Sequence, residues 1–174
     1  NLWIPGLRPP ANRGHMQLFV AHRADGVWTT EDVSGVVADW TPMAAVADGD
    51  RVAVATTRDG EWSVALRTAA GWNISPPIEA WTIDGLVFGG DGELWAVSTR
   101  SEGAAAVSKP GVCEATLDGI AGSAAIVAVE GGASVLAVDA DGVVRSFGVS
   151  GECEVAAADV AGPFGTAFQR TTYS

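Results

Sequence analysis

The side chains able to do chemistry are few and widely spaced. Histidine occurs only at His15 and His22, and cysteine only at Cys113 and Cys153. A zinc site needs three or four Cys, His or carboxylate ligands at short spacings, and no CxxC or HxxxH is present. Asp139-Ala140-Asp141-Gly142 matches the start of a calcium loop but lacks the later acidic ligands. Asp48-Gly49-Asp50 and Asp91-Gly92 are similar pieces. A carboxylate before glycine is ordinary turn chemistry. Gly89-Gly90-Asp91-Gly92 is glycine-rich, but with no helix after it there is no dipole to cradle phosphate. No metal or cofactor is expected.

The spacing of the aromatics and glycines says more. Gly71, Gly111 and Gly151 recur as GWN, GVC and GEC, and unit starts fall at Trp40, Trp81, Gly122 and Gly162. Each start leads into an apolar run: WTPMAAVA, WTIDGLVF, GSAAIVAV, GPFGTAF. A second run follows a glycine turn: RVAVAT, ELWAVS and SVLAVD, with QLFVAH at Gln17 in the same slot. Short strands repeating at about 40 residues are the mark of propeller blades. The expected fold is therefore all-β, a small β-propeller of four blades. Its units are residues 16–39, 40–80, 81–121 and 122–161. Residues 162–174 supply a closing strand, with 162–168 pairing with 17–22 so that no sheet edge stays bare. A fragment of a larger ring and a β-trefoil are the competing architectures. In the third unit strands are expected near 84–88, 93–99, 104–108 and 112–117. Residues 1–15, with three prolines, read as an arm or linker. Residues 152–161 carry a run of alanines that could form a short helix, but the repeat makes them strand.

Composition bounds the partners. Charged residues are 18% of the chain and apolar ones 48%, which describes a globular chain rather than a disordered one. The net charge of −11 is spread without a basic patch, so nucleic acid is excluded as a partner. No run is long enough for membrane insertion by a helix. One lysine, Lys109, against nine arginines suggests a high-GC bacterial genome. The start at Asn1 fits a mature or excised piece of a secreted or cell-surface protein. Cys113 and Cys153, one repeat apart, are expected on neighbouring blades and too distant to bond, since a disulfide holds its Cα atoms within about 7 Å.

Residues 134–148, SVLAVDADGVVRSFG, resemble repeats of the PQQ-type and RCC-one-type propellers. That resemblance implies architecture and no functional residue. The DGxW pieces do not have the spacing of a sialidase Asp-box.

Trp28, Trp62 and Trp95 occupy strand slots and are expected to pack between blades. Trp40 and Trp81 stand at unit junctions, where a propeller opens into a mouth. The expected ligand-binding set there is Trp40, Trp81, Thr82, Asp84, His22, Arg23 and Asp139, suited to a sugar or a peptide. No catalytic residues are assigned. The function expected is a non-catalytic binding module for a small-molecule or glycan ligand. A small glycosidase-like or esterase-like hydrolase using Asp84, Asp139 and His22 is the first alternative, and a protein-interaction or sensor domain the second.

Overall fold

A computed structural model describes residues 2–8, 17–33 and 41–158. The described chain is all-β and antiparallel throughout. Sheet I is β1 (Leu2–Arg8), β2 (Gln17–Ala24) and β3 (Val27–Asp32), in that order. Sheet II is β4 (Thr41–Asp48), β5 (Arg51–Arg58), β6 (Glu61–Thr68) and β7 (Gly71–Ile74). A seven-stranded run follows: β8 (Thr82–Phe88), β9 (Leu94–Thr99), β10 (Ala104–Lys109), β11 (Cys113–Val129), β12 (Gly132–Asp139), β13 (Val144–Ser150) and β14 (Glu154–Ala158). β11 serves twice. Its first part pairs with β10, and after a register shift between Ile120 and Ala124 its second part pairs with β12. The run therefore divides into sheet III (β8 to the start of β11) and sheet IV (the end of β11 to β14). The strands expected in the third unit are present, and 152–161 contains β14 rather than helix.

Local chemistry explains the hairpins. Asp25-Gly26 and Asp59-Gly60 close β2–β3 and β5–β6 with positive φ at both residues (51° and 80°, 54° and 83°). This is the two-residue turn whose twist matches that of paired strands. The Gly89-Gly90 step has another cause. The Gly90 N–H donates to Val129 O at 3.0 Å and Gly132 O at 2.9 Å, joining sheets III and IV, and a Cβ at Gly90 would overlap the Val129 carbonyl.

Sheets II and III bury apolar residues on both faces and sheets I and IV on one, so the sheets stack in series. We call the face bearing Val52 and Val54 the back of sheet II, and that bearing Ala53 and Ala55 its front. The front of sheet II packs on Leu94 and Phe88, on the back of sheet III. The front of sheet III, centred on the fully buried Trp95 with Val97, packs on Val135 and Ala137, on the back of sheet IV. These two seams run front to back, as propeller blades do.

Sheet I breaks the pattern. The identical hairpin turns make Leu18, Val20 and His22 equivalent to Val52, Val54 and Thr56. Leu18 and Val20 pack directly on Val52 and Val54, so two backs meet. The sheet is also turned end for end. Trp3 lies opposite His22, the place Pro42 holds opposite Thr56. Yet the Trp3 indole N–H donates to Gly49 O, 3.3 Å away, at the far end of β4. Glu31 locks the inverted sheet in place. Both its carboxylate oxygens accept from Arg67 Nε (3.0 and 2.8 Å), and Oε2 also accepts from Trp72 Nε1 at 2.9 Å.

Several expectations are corrected. Part of the expected N-terminal arm is a strand, because Leu2–Arg8 pairs along the whole of β2. Both edges of β2 are thereby filled, by β1 and β3, which leaves no edge for the expected pairing with 162–168. Residues 162–168 lie outside the described residues, as does the rest of the expected closing strand, 169–174. The described sheets do not close a ring. Trp28, expected in a core, is 48% exposed on the front of sheet I, against which no described sheet packs. Trp62 and Trp95 are buried as expected.

The cysteines are also corrected: Cys113 and Cys153 form a disulfide with Cα atoms 5.9 Å apart. Lys109 faces Cys113 and Ser150 faces Glu154 across their turns, so Cys153 corresponds to Val112 and not to Cys113. At a φ of 59°, Cys153 belongs to a differently shaped turn. Both cysteines pack into the seam between sheets III and IV, which stays closed out to these turns. Closing a 40-residue separation should contribute about 4 kcal/mol by chain entropy. Replacing both cysteines by serine should therefore lower the urea-unfolding free energy by a few kcal/mol. Intact mass before and after reduction should show two added hydrogens, with alkylation only after reduction; alkylation without reductant would contradict the bond.

Candidate functional site

Sheets II and III each begin at the same end with a threonine and a β-bulge. Thr41 faces Thr57, and the register slips between Pro42 and Ala44, leaving Met43 as the extra residue. Thr82 faces Thr99, and the slip between Ile83 and Gly85 leaves Asp84. Bulges re-aim a side chain and are common beside functional sites. Met43 is 58% exposed. Asp84 accepts hydrogen bonds from Thr82 Oγ1 at 2.6 Å and from Thr99 Oγ1 at 2.7 Å, one to each carboxylate oxygen. This pair of short hydroxyl donors fixes the carboxylate at the head of β8.

Trp81 immediately precedes them. Its N–H donates to Thr99 O at 2.7 Å, and its carbonyl accepts from Trp62 Nε1 at 3.1 Å. The backbone is thus held from both sides while the residue is 71% exposed, the most exposed tryptophan among those described. The site is an anchored, solvent-facing indole beside a hydroxyl–carboxylate–hydroxyl cluster. Thr41, Thr57 and Arg58 line a polar recess at the same end of sheet II. Thr99 and Met43 are absent from the set expected from sequence. Their signal is the slot alignment, in which Met43 shares the bulge position with Asp84 and Thr99 the strand end with Thr57.

The remaining expected residues are placed elsewhere. Trp40 lies outside the described residues. Asp139 is a turn residue: Oδ1 accepts from the N–H groups of Val143 (2.8 Å) and Asp141 (3.0 Å), and Oδ2 from Arg145 Nε at 2.8 Å. The Val143 N–H, then Arg145, hold its carboxyl below the ordinary range. The inversion of sheet I carries His22 and Arg23 to the opposite end from Trp81. His22 stacks on Trp3 at 3.8 Å between centroids and 7° between planes, and the Arg67 guanidinium lies 5.2 Å from the centre of the Trp3 ring. Arg23 lies 5.9 Å over Trp28. Asp84, Asp139 and His22 therefore each have separate partners.

A cleft of about 650 Å³ opens at the other end, between Leu66, Ile74 and Pro76 on the sheet II side and Leu94, Pro110 and Val112 on the sheet III side. Its cations are already engaged. Arg51 pairs with Asp48, donates to Gly92 O and lies over Phe88; Lys109 pairs with Asp91 at 3.5 Å and lies over Trp95. No group of three or more metal-ligating side chains occurs among the described residues. No described helix is long and apolar enough to cross a membrane. No protein-family model matches the chain. No curated protein matches it either.

The seam between sheets I and II has a predictable pH response. The paired hydrogen bonds from Arg67 hold the Glu31 carboxyl below its ordinary 4.5, against the upward push of burial and with help from Trp72. A carboxyl depressed in the folded state adds stability above its unfolded value, which is lost as pH falls through the folded one. The urea midpoint should thus be flat above about pH 5 and fall below about pH 4. Glu31→Gln should be less stable at neutral pH and show a shallower acid fall; an unchanged acid slope would contradict this role.

Proposed function

We propose that this protein is a non-catalytic ligand-binding module of propeller-type sheets that takes a carbohydrate ring on the Trp81 indole. The observation that supports it is an indole left in solvent while its backbone is held at both its N–H and its carbonyl. A structural tryptophan buries its ring, as Trp62 and Trp95 do. The flat apolar face suits the C–H face of a sugar. Thr82, Thr99 and Asp84 beside it offer hydroxyl and carboxylate oxygens to a sugar's hydroxyls. In architecture we read β4–β14 as three propeller-type blades, and a ring of four would need a further blade in their sense. The disulfide fits an oxidising compartment, in keeping with a secreted or cell-surface location.

Stacking on one aromatic ring contributes roughly 1–3 kcal/mol, by analogy with base stacking. Trp81→Ala should therefore weaken glycan binding by about one to two decades and leave the melting temperature near that of the parent. An oligosaccharide array identifies the ligand, and titration calorimetry of parent and variant measures the loss. Unchanged affinity in Trp81→Ala, or an array without binding, would overturn the proposal.

A further inference from the structure

The seams on the two sides of sheet III differ at one level. Thr57 and Thr99 hold equivalent places, so Ala53 of sheet II stands in the slot of Trp95 of sheet III. In the seam between sheets III and IV that slot holds a fully buried indole, with Lys109 Nζ 4.6 Å from its centre. In the seam between sheets II and III it holds a methyl group, paired with Leu66 on β6. The cleft of about 650 Å³ opens beside Leu66. A cleft of that size accommodates one small molecule.

Its walls are apolar and fixed. Val64, Phe88 and Leu94 are buried, and the half-buried Leu66 joins them. Ile74 and Val112 stand at the rim, 38% and 72% exposed. Residues 75–78, leaving sheet II, supply a further wall. The Ser75 N–H donates to Val64 O and the Val64 N–H to Ser75 Oγ, both at 2.9 Å, and the Ile78 N–H donates to Trp62 O at 2.7 Å. Pro76 also lies against the β10–β11 turn, where a Cβ at Gly111 would come within 2.9 Å of Pro76 Cδ. A site built before its ligand arrives gives up little freedom on binding.

Charge narrows the class of ligand. Arg51 pairs with Asp48, Arg67 with Glu31 and Lys109 with Asp91. Each of the three cations lining the cleft is thus matched by a carboxylate, and Glu93 adds another at its edge. An anion entering here would meet no uncompensated positive charge. We propose that the cleft between sheets II and III binds a small planar aromatic molecule without a negative charge, its ring beside Leu66 at the level that Trp95 fills in the next seam. This site is independent of the Trp81 ligand site, which stands at the opposite end of the sheets.

The test uses the full disulfide-bonded chain, with indole as the probe. Methyl-labelled protein is titrated with indole, and shifts are followed at Leu66, Ile74, Leu94 and Val112. These should move together and saturate, while Val135 and Val149 in the closed seam stay unmoved. Indole-3-acetate should bind several-fold more weakly. Leu66→Trp places an indole in the cleft and should weaken binding by about tenfold or more, with no fall in melting temperature. Asn73→Trp, on the exposed neighbour of Leu66 on β7, covers the cleft from outside and serves as the second variant. A loss in either supports the site. Trp81→Ala should bind indole as the parent does. No saturable shift at the four residues, equal or tighter binding of indole-3-acetate, or full affinity in every tryptophan variant that folds would overturn the proposal. Indole binding lost in Trp81→Ala would overturn it as well, by assigning the probe to the exposed indole.

Discussion

Sheets II and III have two buried apolar faces, and each of those faces needs a neighbouring sheet as its cover. Short strands rich in Val, Ala and Leu cannot leave either side in water without losing roughly 25 cal/mol for each Å² of apolar surface left exposed. The serial stack follows from that constraint. Sheets II, III and IV meet it by repetition, front on back, with Trp95 filling the centre of one seam and Trp62 lying in the other. Sheet I meets it by inversion. Its back covers the back of sheet II, which the front-to-back order would otherwise leave bare. The pairing of Glu31 with Arg67 and Trp72, and the reach of Trp3 to Gly49, act in the same seam and fix which way the sheet runs.

The inversion also decides where side chains gather. In the direction of the other sheets, His22 and Arg23 would stand at the end where Thr57 and Thr99 stand, and that end would contain a histidine. Turned over, they stand at the opposite end, with His22 stacked on Trp3. What remains at that end is Trp81, with Asp84 held between Thr82 and Thr99. The bulges at Met43 and Asp84 arise at the same register on neighbouring first strands. The scaffold thus presents two extra side chains at equivalent places and fills them with different chemistry.

Much of this was legible in the repeat. Strand positions followed from apolar runs between glycine turns, and β8, β9 and β10 begin and end within about two residues of expectation. Trp62 and Trp95 were legible as seam residues by their slots. The direction of sheet I was not, because strand periodicity reports which residues share a face and not which face meets which neighbour. QLFVAH fills its slot correctly within a sheet that is turned over. β1 was hidden because Pro5 and Gly6 break the short apolar run Leu2-Trp3-Ile4. The disulfide was hidden by a one-residue offset: spacing in sequence equated Cys113 with Cys153, while the turns equate Val112 with Cys153. Thr99 lacked any motif, and only pairing with Thr82 brings it to Asp84.

The direction of sheet I can be measured directly through the Trp3 indole. In a nuclear Overhauser spectrum of the labelled protein, the Trp3 Nε1 proton should show cross-peaks to Gly49 and Asp50 in the β4–β5 turn, and the ring should show them to Arg67. Cross-peaks from that indole instead to Arg58, Asp59 or Gly60, at the other end of β5, would mean that sheet I runs with its neighbours. The end-for-end inversion of sheet I would then be contradicted.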